Sequence, residues 1–152
     1  MSILSKLKTR NRPLVAAPVP TPELAEVVND VEVDSVQYLA ELDGAEMDSF
    51  VSIWSSIRDK HLDDEDSTVQ DFKRAAVSFC WCDSERALHH KNEADVWECV
   101  KALRTQPATL VARMFNVANG LNAFVGVDDE TKKNLLVKML KAKSADGSGA
   151  KP

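Results

Sequence analysis

After Asp43 the apolar positions recur almost everywhere at helical spacing. Met47, Phe50, Val51, Trp54 and Ile57 fall on one face of a first long helix. Asp43, three residues before Glu46, is placed to form a capping box at its start. The like-charged run Asp63–Asp66 ends it. A second helix is expected from about Thr68, with Val69, Phe72, Ala76, Val77 and Cys80 on one stripe. Its final SFCWC reads equally as strand, because aromatic side chains crowd it. A short third helix is capped by Asn92, carries Glu93 and Asp95 at its positive end, and turns Val96, Trp97, Val100 and Leu103 inward. Thr105-Gln106-Pro107 stops it. The fourth helix bears Leu110, Val111, Met114, Phe115, Val117, Ala118 and Leu121, more than half its circumference, so it is central or lies at an interface. Gly120 or Asn122 is expected to supply the left-handed residue that closes it. A last amphipathic helix from Asp128 uses Leu135, Leu136, Met139 and Leu140, ahead of a disordered ADGSGAKP tail.

Before Asp43 the pattern changes. Val31, Val33, Val36 and Tyr38 alternate with polar residues on either side of Asp34-Ser35, a hairpin signal without glycine. A short helix over Glu23–Asn29 is also expected, with Thr21 as cap and Pro22 at the first helical position. VAAPVPTP reads as a polyproline-like linker. Together these elements predict a mainly α fold: a small bundle of four to five helices with a minor β-hairpin near the N-terminus. Residues 1–22 form a flexible basic and Pro-rich arm, 23–143 a single helical domain, and 144–152 a disordered tail.

Charge refines this picture. The net charge of −5 argues against a nucleic-acid binder, whose domain would carry a basic face. The layout is uneven: Lys6, Lys8, Arg10 and Arg12 precede an acidic middle, and Lys132, Lys133, Lys138, Lys141 and Lys143 follow it. The basic arm is either a solvated terminus or a docking element for an acidic partner, such as the middle of a second copy. No secretory h-region precedes it, and the longest apolar run, Ala75–Cys82, is of buried-core length. A cytosolic chain with reduced thiols is expected.

Candidate chemistry is sparse. Cys80, Cys82, His89, His90 and Cys99 suggest metal ligands, but structural zinc sites present a C-x₂₋₄-C knuckle and here one residue separates the sulfurs. On a helix the two thiols would point roughly 200° apart. Neither metal nor another cofactor is expected. A Cys82–His89–Asp83 or Asp95 hydrolase would lack any Gly-rich nucleophile turn. Asp63–Asp66 lacks the spacing of a calcium loop. No catalytic residue is assigned, and the chain is not expected to be an enzyme. Three tryptophans, Trp54, Trp81 and Trp97, are the better lead, because tryptophan is enriched at protein interfaces and also packs well in cores.

The stretch Arg74–Phe124 resembles the tail assembly chaperones of long-tailed bacteriophages. In that family an apolar helix ends at an acidic turn of the kind D-x-x-G-x-x-L-F, followed by a short E-x-D-V helix and a final helix closing near L-N-x-L/F. Asp83 corresponds to the acid of the turn, Glu93-Asp95-Val96 to the next helix start, and Leu121-Asn122 to the closing motif. Ser84-Glu85-Arg86 contains no glycine and Leu88-His89 stands for L-F, which predicts a longer, helical turn. The resemblance implies a role in virion morphogenesis: binding the phage tape measure protein in the host cytoplasm while the tail tube assembles, and absence from the mature virion. Tail tube protein and a second copy are further partners it suggests; nucleic acid and membrane are not. The alternative is a structural tail or connector component retained in the particle, and a distant third is a small metal-dependent regulator. Of the two apolar stripes of the fourth helix, that with Leu110, Met114, Val117 and Leu121 is expected to face the client, since methionine adapts to irregular surfaces. Failing that, binding is expected around Trp81.

Overall fold

Asp43 starts α2 (Gly44–His61) as a capping box: its carboxylate accepts from the Glu46 N–H at 2.7 Å while Glu46 accepts from the Asp43 N–H at 2.9 Å. The helix buries Phe50, Trp54 and Ile57. The next helix, α3 (Glu65–Cys80), is the centre of the molecule. Every residue from Ala75 to Cys80 is buried, and α3 packs against α2, α4 (Glu93–Leu103) and α5 (Ala108–Asn122). Phe50 meets Phe72, Phe79 and Phe124 at centroid distances of 5.9, 5.6 and 5.2 Å, and Trp54 meets Phe72 at 5.4 Å. These aromatic contacts form the heart of the core.

The computed structural model describes residues 2–8, 13–28, 31–33, 35–62 and 65–124. The remaining elements are α1 (Ile3–Lys8), β1 (Ala16–Pro20), β2 (Glu26–Val28), β3 (Val31–Val33), β4 (Val36–Ala40) and β5 (Trp81–Cys82). The fold is therefore mainly α with minor antiparallel β. The helix expected from Asp128, the tail 144–152 and the Asp63-Asp64 half of the acid run lie outside the described residues.

The strand content matches expectation but the pairing does not. The two halves of the alternating segment do not pair with each other. Its first half, β3, pairs back with β2, while its second half, β4, joins a three-stranded sheet of order β1-β4-β5. Consequently the described part of the expected Glu23–Asn29 helix, residues 23–28, is not α-helical: a single 3₁₀ turn at Pro22–Leu24 leads into β2. Thr21 does not cap it. Its buried hydroxyl instead donates to Ser35 Oγ at 2.9 Å, and its N–H donates to the Ser35 carbonyl at 2.9 Å.

The Pro-rich segment is not a free linker either. β1 pairs with β4 in the register Ala16↔Ala40 through Pro20↔Val36. The Glu41 N–H donates to the Val15 carbonyl and the Thr21 N–H to the Ser35 carbonyl, so odd-numbered residues of β1 bond toward β4. Pro18 and Pro20 therefore sit at positions whose nitrogens face outward, the placement an edge strand permits. Val19 between them is buried.

α3 ends and β5 begins without a linker, so both readings of SFCWC hold: helix to Cys80, strand from Trp81. α5 ends one residue later than the nominated closers. Gly120 and Asn122 are helical, and Ala123 takes the left-handed conformation at φ 54° and ψ 57°.

Candidate partner-binding groove

Beyond β5 the chain makes a tight turn built by Asp83. Its Oδ1 accepts from the Glu85 and Ala87 N–H groups at 2.8 and 2.9 Å, and its backbone exchanges hydrogen bonds with Ala87 and Arg86. Those two N–H groups, Ala87's first, hold the Asp83 carboxyl below the ordinary aspartate range. The turn is not the longer helical one expected. Arg86 instead adopts a left-handed backbone with φ 72°. That conformation is unfavourable for a side chain, and Arg86 is fastened by Nη1, which donates to the Glu41 carbonyl at 2.9 Å and to Glu46 Oε1 at 2.8 Å. The turn after α3 is thus bolted to the start of α2.

The chain then returns along β5. Cys82 bridges to Leu88, and the His89 N–H donates to the Trp81 carbonyl at 2.9 Å. The His90 Nδ1 lies 2.9 Å from the Ser78 carbonyl. Asn92 then caps α4, accepting from the Asp95 N–H at 2.9 Å as its sequence predicts, and Val96, Val100 and Leu103 are buried below. Glu93 faces α2, where Ser56 and Lys60 lower its carboxyl.

Between this returning strand and α4 lies an open groove of about 620 Å³. Leu24, Trp81, Cys99, Ala102, Leu103 and Leu110 supply its apolar lining, and Gln37, His89, His90, Asp95, Glu98 and Gln106 its polar atoms. Trp81 is half-buried and held in place by its indole N–H, which donates to Gln37 Oε1 at 2.9 Å. On the other side, Arg113 of α5 clamps Glu23 with paired bonds of 2.8 and 3.0 Å, which fixes the 3₁₀ turn that presents Leu24. An apolar lining of this kind, bordered by secondary-structure elements and interspersed with polar groups, could accept a chain segment carrying apolar side chains.

The three tryptophans separate into three roles. Trp54 is 1% exposed and belongs to the core, which removes it from the partner-binding set. Trp97 stacks on His61 at 4.2 Å, with the Arg104 guanidinium 5.0 Å from its ring, so its face is covered from within the chain. Trp81 alone of the three lines the groove.

The expectation for the fourth helix is also overturned. Leu110 and Met114 are both 0% exposed, and Ala118 continues their stripe inward. Val117 and Leu121 are only partly buried at its margins, as is Phe115 of the second stripe. The reason lies in the sheet: α5 packs on β1 and β4 as well as α3, so both its apolar stripes have neighbours in the same molecule. Leu110 reaches the groove only as part of its floor. Periodicity identified the apolar stripes; it carried no signal for the β1–β4 pairing that buries one of them.

Asn122, nominated from the closing motif, proves structural. Its Oδ1 accepts from the Leu42 N–H at 2.7 Å, and its Nδ2 donates to the Ala40 carbonyl at 2.9 Å. Leu121 beside it is half-buried.

Burial raises the pKa of all three thiols: Cys80 lies well above the ordinary thiol value, Cys82 is pushed up to about 11, and Cys99 is raised. Such thiols are poor nucleophiles at neutral pH. Among the described residues no three His, Cys, Asp or Glu side chains converge as a metal site, and no helix is long and apolar enough to cross a membrane. No protein-family model, curated protein or solved structure matches the chain.

Proposed function

We propose that this protein is a binding module that covers apolar segments of another protein, and specifically a phage tail assembly chaperone whose client is the tape measure protein. The groove beside Trp81 carries the reading. It offers an anchored indole and an apolar lining, with His89, Asp95 and Glu98 exposed beside it. The client assignment rests on the resemblance. Asp83 nucleates a turn, and Arg86 stands in the left-handed conformation at the place where the D-x-x-G pattern puts its glycine. Asn92 with Glu93-Asp95-Val96 starts the helix that forms one wall of the groove. Leu121-Asn122 forms the last two residues of the helix behind it, ahead of the left-handed Ala123. In this reading the protein acts in the host cytoplasm, takes no cofactor and leaves before the virion is complete.

Co-expression with a tagged tape measure protein tests this. Ala102 is exposed and lines the groove, so Ala102→Arg blocks it without disturbing the core. The wild type is expected to keep the client soluble and co-purify with it, and Ala102→Arg to lose both while retaining its circular dichroism. Retained client binding by the folded variant would exclude the groove. Mass spectrometry of purified virions separates this role from that of a structural tail or connector component, which would be present in stoichiometric amounts.

A further inference from the structure

The chain carries a second unpartnered apolar surface, and its chemistry complements the groove. Ile3, Leu4 and Leu7 of α1 are 73%, 60% and 69% exposed, and no residue of that helix is buried. Ile3 and Leu7 are four residues apart with Leu4 beside them, so the three form one helical face. Lys6 and Lys8 supply positive charge in the last turn, and no acid precedes them. The groove presents the opposite pattern: an apolar floor around Trp81 and Ala102 with Asp95 and Glu98 exposed on the rim. Asp95 has no cation within ion-pair distance among the described residues, while Glu98 is met by Lys101 at 2.7 Å.

We infer that α1 of one copy docks in the groove of a second, so that two chains exchange N-terminal arms. The three apolar side chains of α1 enter over Trp81 and Ala102, and Lys6 and Lys8 face Asp95 and Glu98. In its own chain α1 contributes nothing to the groove lining, which favours exchange over self-docking. A two-fold exchange fills both grooves at once and closes the assembly at a dimer. One six-residue helix is a small contact, and the reciprocal pair holds the two copies more tightly than a single arm would. The inference uses the groove but does not depend on the identity of any client.

The test is the mass of the full chain in solution, by light scattering across a concentration series. Ile3→Asp with Leu7→Asp alters only exposed arm residues, and Ala102→Arg alters only an exposed groove residue. The wild type is expected to dimerise, each variant to be monomeric at the same concentration, and added salt to weaken the wild-type dimer. An equimolar mixture of the two variants retains one intact arm and one intact groove, so it should recover a weaker heterodimer. A wild type that stays monomeric at every concentration overturns the inference, as does a dimer that survives both variants. A monomer that sediments with anionic phospholipid vesicles through α1 would reassign the arm to a lipid surface. Because the arm variant keeps its groove, it should still bind client, which separates failure of this inference from failure of the chaperone reading.

Discussion

The Asn122 side chain receives the Leu42 N–H at 2.7 Å across a sequence separation of 80 residues. Its amide also donates to the Ala40 carbonyl and, within its own helix, to the Ala118 carbonyl at 3.1 Å. One side chain thereby satisfies the backbone where β4 ends and ties it to the last turn of α5. Asn122→Ala leaves a part-buried donor and acceptor without partners and should cost about 1–3 kcal/mol. Asn122→Asp keeps the acceptor for Leu42 but turns a carboxylate toward two carbonyls, so it should be at least as destabilising. Urea unfolding, read as a shift in midpoint at unchanged slope, measures both.

Burial of the Leu110–Met114 stripe makes a second expectation firm. Leu110→Asp with Met114→Asp places two carboxylates in the core and should abolish cooperative unfolding. Ala112→Asp, one helical step away on the exposed side, should leave the melting curve within about 0.5 kcal/mol of wild type. A folded double variant would show that α5 is not held as described.

The end of α5 has its glycine and its alanine in each other's favoured places. Gly120 is helical and a Cβ there would meet nothing within 4 Å, so Gly120→Ala should stabilise by roughly 0.5–1 kcal/mol. Ala123 is left-handed, so Ala123→Gly should relieve strain worth about 1 kcal/mol. Thermal denaturation of the two variants, which should both melt later, checks the pair.

Acid sensitivity follows from Asp83. Its carboxyl titrates below the unfolded value because the Ala87 and Glu85 N–H groups bond the ionised form. Its stabilisation is therefore complete above about pH 4 and is lost as pH falls through the folded value. Glu23, held by Arg113, and Glu93, held by Ser56 and Lys60, act in the same direction. Asp83→Asn preserves an acceptor oxygen but no charge. Its melting temperature should fall less than that of the wild type between about pH 5 and pH 3, and an equal fall would remove Asp83 from the account.

The helices were legible because their signals are local. The Asp43–Glu46 box, the Asn92 cap and the inward stripe Val96, Val100, Leu103 are each contained within a few residues. Strand pairing is not local. β4 takes partners some twenty residues before it and some forty after, and nothing at Asp34-Ser35 announces that the alternating run divides between two sheets. A usable signal was nevertheless present in the arm. Prolines at alternate positions 18, 20 and 22 leave Ala17, Val19 and Thr21 free to bond on one side, which suits an edge strand as well as a polyproline linker. The groove was harder to foresee. Its lining comes from the 3₁₀ turn, β4, β5, the histidine turn, α4 and α5, and of the residues the sequence points to as partner-binding only Trp81 and Leu110 lie there, Leu110 as buried floor.

The alternate prolines of β1 also limit how another chain could pair with this sheet. An exposed sheet edge offers any chain a row of backbone bonds irrespective of its side chains. Here Pro18 and Pro20 remove outward donors from one outer strand, and the Leu88 bridge with the His89 bond lies along the other. A segment bound here would have to be held through its side chains rather than its main chain. It would be selected by the spacing of its apolar residues, and one with the wrong spacing would gain no compensating ladder. The same feature leaves neighbouring copies no outward backbone donors at Pro18 and Pro20 with which to stack edge to edge.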